Sequence, residues 1–112
     1  RTNTPLQALT LLNDPTYWEM TRAFANEIEA SAGSIHGKIA FAFIQTLARK
    51  PSQREVEILE TLYQSTVSRL RDRPSDIQEL VGSNTERATA ESAAWCYIAN
   101  VLLNLDETIT RN

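Results

Sequence analysis

Fourteen consecutive residues near the end of the chain, 92–105, carry no charge. Trp95, Ile98, Leu102 and Leu105 recur within this stretch at helical spacing and share one face. A bilayer span needs about 20 apolar residues, so the stretch is too short to cross a membrane and predicts a helix buried inside a protein. A helix that is apolar on most sides must be enclosed by other elements, which the rest of the chain has to supply.

Start signals for further helices recur along the chain. A capping side chain stands directly before a proline at Thr4 and again at Asp14, which suits the first turn of a helix. Ser52 and Glu55 have the spacing of a capping box, the clearest such signal in the chain. With the apolar spacing, these signals predict helices over about 4–12, 15–32, 34–49, 52–73 and 75–81, the fifth capped by Ser75. A sixth helix begins after Ser83 or Thr89.

Apolar spacing also predicts the face that each helix buries. The expected core positions are Tyr17, Met20, Phe24 and Ile28, then Ile35, Ile39, Phe43 and Leu47, then Val56, Leu59, Tyr63 and Leu70. The run IAFAFI at 39–44 fits a buried strand by periodicity alone, but the flanking helical pattern and the lack of a partner strand favour a helix. We therefore expect an all-α domain over residues 1–112, an irregular antiparallel bundle of four longer and two short helices.

Composition limits the classes of function. Eleven basic and 14 acidic residues give a net charge of −3, and the basic residues are scattered along the sequence. This argues against a nucleic-acid backbone or an anionic membrane surface as partner. The single cysteine, Cys96, excludes an internal disulfide and any multi-cysteine metal site. A length of 112 residues suits one compact core.

No autonomous catalytic constellation is visible in the sequence, and we expect no catalytic, cofactor or metal site. His36 is the single histidine and has no second metal ligand one turn further on, so we interpret it as a surface or helix-terminal side chain. Cys96 lies between two aromatic residues in the most apolar helix, which indicates packing. Asp106 and Glu107 are adjacent, and adjacent residues on a helix point in different directions, which is poor geometry for an acid–base pair.

Polar residues are dense at both ends of the chain. Asn104 follows two leucines on a helix end that should be half-buried, where its amide needs hydrogen-bond partners. We interpret the set as a polar network that ties the two ends together or as a docking edge, the name we use for it below. The docking edge comprises Thr2, Asn3, Gln7, Asn13, Asn104, Asp106 and Glu107.

Four segments carry a resemblance to a known family. They are RTNTPLQALTLLNDP at 1–15, ARKPSQRE at 48–55, AAW at 93–95, and LLNLDE at 102–107 with Ile109, Thr110 and Arg111. Together they resemble a planctomycete-type domain of unknown function, which typically closes large exported proteins that carry a cytochrome-c-like domain upstream. The family has no established catalytic residues to place on this sequence.

The resemblance implies a setting for the chain. It implies the C-terminal portion of a larger domain, in a protein exported to the periplasm or cell surface, with upstream domains of the same polypeptide as partners. It also implies haem c elsewhere in the parent protein. The chain itself has no Cys-x-x-Cys-His motif, so it holds no c-type haem of its own.

We therefore expect a non-catalytic structural or interaction module. One alternative is a composite enzyme in which polar residues at the two ends, Asp106 and Glu107 among them, complete an active site whose other groups lie upstream. Another is a saccharide-binding module that uses Tyr17 and Trp18, for which core packing of both aromatics is the competing interpretation. The sequence leaves the small-molecule or saccharide ligand of either alternative open.

Overall fold

The computed structural model describes residues 15–31, 33–82 and 88–111, with the side chains of 17–31, 33–82 and 88–105. These residues form five α-helices and no strand: α1 (Pro15–Ala30), α2 (Ile35–Leu47), α3 (Gln53–Leu70), α4 (Pro74–Val81) and α5 (Ala90–Arg111). The all-α prediction is therefore confirmed for the described residues, and 39–44 are helical. The helix predicted over 4–12 and the caps at Thr4, Asp14 and Ser83 lie outside them.

The last helix, α5, is the centre of the bundle. It contacts each of the other four described helices. Residues 92–100 are buried without interruption, and Ile98 and Leu102 have no exposed surface. Trp95 packs on Tyr63 of α3 with ring centroids 4.4 Å apart. The uncharged stretch is thus a helix enclosed by its neighbours, as its composition predicts.

Local capping explains how two of the helices begin. The Ser52 side chain accepts a hydrogen bond from the Glu55 amide at 3.1 Å, and the Glu55 carboxylate accepts one from the Ser52 amide at 2.8 Å. The capping box is therefore confirmed. Thr89 accepts a hydrogen bond from the Ser92 amide at 3.0 Å, so Thr89 caps α5.

Several helix ends differ from the prediction. The cap predicted at Ser75 is wrong: α4 begins one residue earlier at Pro74, whose fixed φ suits the first helical position without a side-chain cap. Helix α2 ends at Leu47 rather than near 49, because Ala48 adopts a left-handed conformation with φ 59°. Helix α3 ends at Leu70, three residues before the predicted end.

The buried face of α1 also differs from the prediction. Of the four expected core residues only Ile28 is fully buried, and Met20 is 48% exposed. The residues that α1 buries are Thr21, Ala25 and Ile28. The Thr21 hydroxyl donates to the backbone carbonyl of Tyr17 at 3.0 Å, which satisfies this polar group inside the core. A prediction from the spacing of apolar residues treats threonine as polar. It therefore did not place Thr21 on the buried face of α1.

Candidate docking surface

A groove of about 300 Å³ opens between α1, the end of α2 and the C-terminal half of α5. Ligand pockets usually measure about 300–1,000 Å³, so the groove lies at their lower limit and suits a few side chains better than a large ligand. Its apolar lining consists of Met20, Ala23, Phe24 and Leu103, and its polar lining of Glu27, Gln45 and Thr46.

One exposed apolar side chain lines the groove, and two others lie on helices that contribute to it. Among the described residues, four large hydrophobic side chains are exposed. Met20 lines the groove, Ile44 precedes two lining residues on α2, and Leu105 lies two residues beyond Leu103 on α5. The fourth, Ile58, lies on α3. Met20 and Leu105 were expected in the core, and both are exposed instead, at 48% and 44%.

The structure describes one side chain of the docking edge, Asn104. It is half-buried on α5, and its Nδ2 donates to Oδ1 of Asn100 at 3.3 Å. Asn100 is 1% exposed, and its own Nδ2 has no hydrogen-bond partner among the described residues. Both amides lie within one turn of Leu103 in the groove. The rest of the docking edge lies outside the described side chains: Thr2, Asn3, Gln7, Asn13, Asp106 and Glu107.

Asn100 belongs to the same polar-rich end of the chain, although the docking edge does not include it. The available signal was an amide in the middle of a stretch without charges, four residues before Asn104 and so on the same helix face. A buried amide requires partners for two donors and an acceptor. Asn100 therefore extends the polar pattern from the end of α5 into its buried centre.

The saccharide-binding alternative uses the aromatic side chains of Tyr17 and Trp18, and the Trp18 ring is partly covered. Trp18 is half-buried, and the Arg22 guanidinium lies 5.5 Å from its ring centroid, in cation–π geometry. The same guanidinium donates to the backbone carbonyls of Leu80 at 2.9 Å and Glu79 at 2.8 Å. One face of the Trp18 ring is therefore occupied by a side chain that ties α1 to the end of α4.

His36 and Cys96 lie where the sequence placed them. His36 is the second residue of α2, its side chain is exposed, and its Nε2 contacts the Glu60 carboxylate on α3. Cys96 is buried in α5. Among the described residues no group of histidine, cysteine and acidic side chains could hold a metal ion.

The most perturbed carboxyl, Glu55, serves a helix start. The two terminal guanidinium nitrogens of Arg49, Nη1 and Nη2, donate to its carboxylate, at 3.0 and 2.9 Å. These hydrogen bonds and the one from the Ser52 amide lower the pKa of Glu55 to about 2. An ion pair between Arg49 and Glu55 thus bridges the linker at 48–55. The lowered pKa of Glu55 therefore has a structural cause.

A hydrogen bond between side chains joins α1 to the start of α5. The Ser92 hydroxyl donates to the Glu29 carboxylate at 2.9 Å. Nearby, burial raises the pKa of Tyr63, and the Glu91 and Glu29 carboxylates raise it further. The Tyr63 phenol therefore stays protonated at neutral pH, as a packing residue against Trp95.

One family model matches residues 1–63, which are 63 of the 112 residues. Its description is PSD1, a protein of unknown function (DUF1553). The chain belongs to this family. The matched region includes two of the segments that carried the resemblance, 1–15 and 48–55, so the predicted membership in a planctomycete-type domain of unknown function is confirmed. Comparison with curated proteins and with solved structures finds no match.

The PSD1 description assigns no activity, so function has to be argued from the surface of the bundle. In the described part of the chain, no helix combines the length and apolar character that crossing a membrane requires. The surface feature considered for that purpose is the groove and the polar side chains beside it.

Proposed function

We propose that the chain is a non-catalytic helical interaction module that docks through its docking edge and the rim of the groove. The observation that carries this proposal is the apolar groove beside Asn104, with Leu105 44% exposed between two members of the docking edge. Single exposed apolar residues are normal on protein surfaces, but several gathered at one end favour an interaction site.

The proposed partner is the upstream part of the same polypeptide. The supporting observation is the mixed character of the surface, an apolar groove whose lining includes the Glu27 carboxylate and the Gln45 amide, with Asn104 beside Leu103 on α5. Contacts between domains of one chain are more polar than obligate subunit interfaces, and this surface has that composition. In this proposal the chain is the C-terminal portion of a larger domain in an exported protein of the periplasm or cell surface, with a haem-bearing domain elsewhere in the parent.

Two substitutions on α5 test the docking edge. In the parent protein, Asn104→Ala and Leu105→Glu should loosen the contact between this module and the upstream part. With the two parts prepared separately, we expect Kd to rise by about tenfold or more for Leu105→Glu. The matched control is Ile58→Glu on α3, which introduces the same charge at a site of similar exposure, 52% against 44% for Leu105. Unchanged Kd for both α5 variants would contradict the proposal.

The two alternatives have less support. The saccharide-binding module needs an open aromatic face, whereas Arg22 covers one face of Trp18. The composite enzyme depends on Asp106 and Glu107, and parent activity that survives Asp106→Asn and Glu107→Gln would exclude it. We therefore place both below the interaction module.

A further inference from the structure

We propose that Met20 is a reversible modification site, where a peroxide oxidises the thioether to a sulfoxide and the sulfoxide weakens docking at the groove. The inference rests on the proposed function, because it names a regulation of the same surface. It depends on the exposure of Met20, on the burial of the side chains that compete for the oxidant, and on the place of Met20 in the groove lining.

Met20 lies on the solvent-facing side of α1. It is the single methionine of the chain, and it is 48% exposed. Its neighbours on that side, Glu19 and Ala23, are exposed as well. Methionine oxidation requires an oxidant to reach the side chain, so this exposure admits a small oxidant such as hydrogen peroxide.

The cysteine and the two tryptophans, which can also take up oxygen, are less accessible. Cys96 is 4% exposed and Trp95 is 3% exposed, both inside the bundle on α5. Trp18 is half-buried, and the Arg22 guanidinium lies over one face of its ring. Oxidation should therefore begin at Met20 and leave the core intact.

The reaction on the thioether needs no reactant besides the peroxide. A sulfur lone pair attacks one oxygen of hydrogen peroxide, so that a sulfur–oxygen bond forms and the oxygen–oxygen bond breaks. The second oxygen takes up the proton of the first and leaves as water. The sulfur is oxidised and the peroxide is reduced by the same two electrons. Methionine sulfoxide reductases reverse the change, with thiols that become a disulfide and release the oxygen as water.

A sulfoxide at Met20 changes the surface on which the proposed function depends. Met20 forms the apolar lining of the groove together with Ala23, Phe24 and Leu103. Oxidation converts a flexible apolar side chain into a polar one, which disrupts contacts that methionine makes in an interface. An apolar partner group docked there meets an oxygen that has lost its water, and this loss costs free energy.

The polar lining does little to compensate the sulfoxide oxygen, which only accepts hydrogen bonds. The Glu27 carboxylate is itself an acceptor, and the Thr46 hydroxyl already donates to the backbone carbonyl of Ala42 at 2.9 Å. Among the lining residues that the structure describes, Gln45 carries the remaining side-chain donor. The sulfoxide therefore depends on this exposed amide or on water, and a docked partner has to displace the water.

Peroxide treatment and peptide mass spectrometry test the modification site. We expect one added oxygen atom on the peptide that contains Met20, before any oxygen appears on Cys96 or the tryptophans. Sulfoxide reductases for both epimers, with dithiothreitol, should remove it. The thermal unfolding midpoint should stay within about 2 °C of the untreated value, because Met20 lies outside the core. Earlier oxidation of Cys96, or a larger fall of the midpoint, would overturn the proposal.

Binding to the upstream part of the parent protein tests the effect on docking. Oxidation of Met20 should raise Kd by about fivefold or more, and reductase treatment should restore it. The control is Met20→Leu, which keeps an apolar side chain of similar volume without sulfur. Whatever its own Kd, peroxide should leave that Kd unchanged. An unchanged Kd of the oxidised chain, or an equal loss in Met20→Leu, would contradict the inference.

Protection by the partner gives an independent check. If docking covers Met20, a saturating concentration of the upstream part should slow the oxidation of Met20. Equal rates with and without the partner would place Met20 outside the interface and reject the inference.

Failure of the proposed function gives a different result. An untreated chain that does not bind the upstream part would reject the docking function and this inference with it. Binding that persists unchanged after complete oxidation of Met20 would retain the docking function and reject the inference alone.

Discussion

Single residues at the junctions between helices hold this bundle together through short-range contacts with backbone groups. Arg22 donates to two carbonyls at the end of α4, and Lys38 donates to the carbonyls of Glu29 and Ser31 at the end of α1. Carbonyls in the last turn of a helix lack partners within the helix, so a cation from a neighbouring element satisfies them. These contacts tie α1 to the end of α4 and α2 to the end of α1.

Stability should depend on pH through Glu55. Its pKa falls from 4.5 to about 2 on folding, because Arg49 and the Ser52 amide donate to its ionised form. The stabilisation is therefore present above about pH 4.5 and is lost as the pH falls toward 2. We expect Glu55→Gln to lower the free energy of unfolding at pH 7 and to make little difference near pH 2. Urea denaturation of both proteins across this range measures the effect, and a difference that is independent of pH would contradict it.

Gly82 should not tolerate a side chain. Its φ of 90° and ψ of −167° lie in a region that is nearly exclusive to glycine. A Cβ there would also approach the Arg22 guanidinium to 3.2 Å. We expect Gly82→Ala to cost about 1–3 kcal/mol of stability by urea denaturation. The control is Gly37→Ala in the first turn of α2, which should stabilise by about 0.5 kcal/mol, and an equal effect of both changes would contradict the account.

Residue-scale contacts were predictable where both partners are close in sequence. Ser52 and Glu55 are three residues apart, so the capping box follows from the sequence alone. The contacts of Arg22 with α4 could not be predicted, because they span more than 50 residues and depend on how the helices pack. For the same reason, the sequence could not predict that Nδ2 of Asn100 is buried without a hydrogen-bond partner among the described residues.

At the scale of elements, α5 organises the bundle because it presents apolar surface on every side. Small residues at 93, 94 and 99 are fully buried, which lets neighbouring helices approach closely. Its apolar character was strong enough for the sequence to predict a central helix. The face of α1 was harder to predict, because a buried threonine and an exposed methionine both break the rule that apolar side chains lie inside.

Removal of buried side-chain volume from α5 should be costly. Ile98 has no exposed surface, so Ile98→Ala leaves a cavity and should cost about 2–5 kcal/mol. The same substitution at Ile58, which is 52% exposed on α3, should change stability by less than about 0.5 kcal/mol. Chemical denaturation of the two variants measures the contrast, and comparable losses would show that α5 is not the centre of the core.

At the scale of the whole molecule, one end of the bundle differs from the rest of its described surface. The groove, the exposed Leu105 and the half-buried Asn104 gather where α1 lies against the ends of α2 and α5. The sequence predicted polar density at both chain ends, but it could not predict the groove, because the groove is formed by residues from three helices. The proposed docking function would account for both observations.

The most direct test measures the thermal unfolding midpoint of this chain alone and mixed with the segment that precedes it in the parent protein. A partner that binds only the folded form stabilises it by about 2.7 kcal/mol at 100 times Kd. We predict a midpoint that rises with the concentration of the upstream segment, with a smaller rise for Leu105→Glu. An unchanged midpoint with a single cooperative transition would contradict the docking function and show a module that folds and acts on its own.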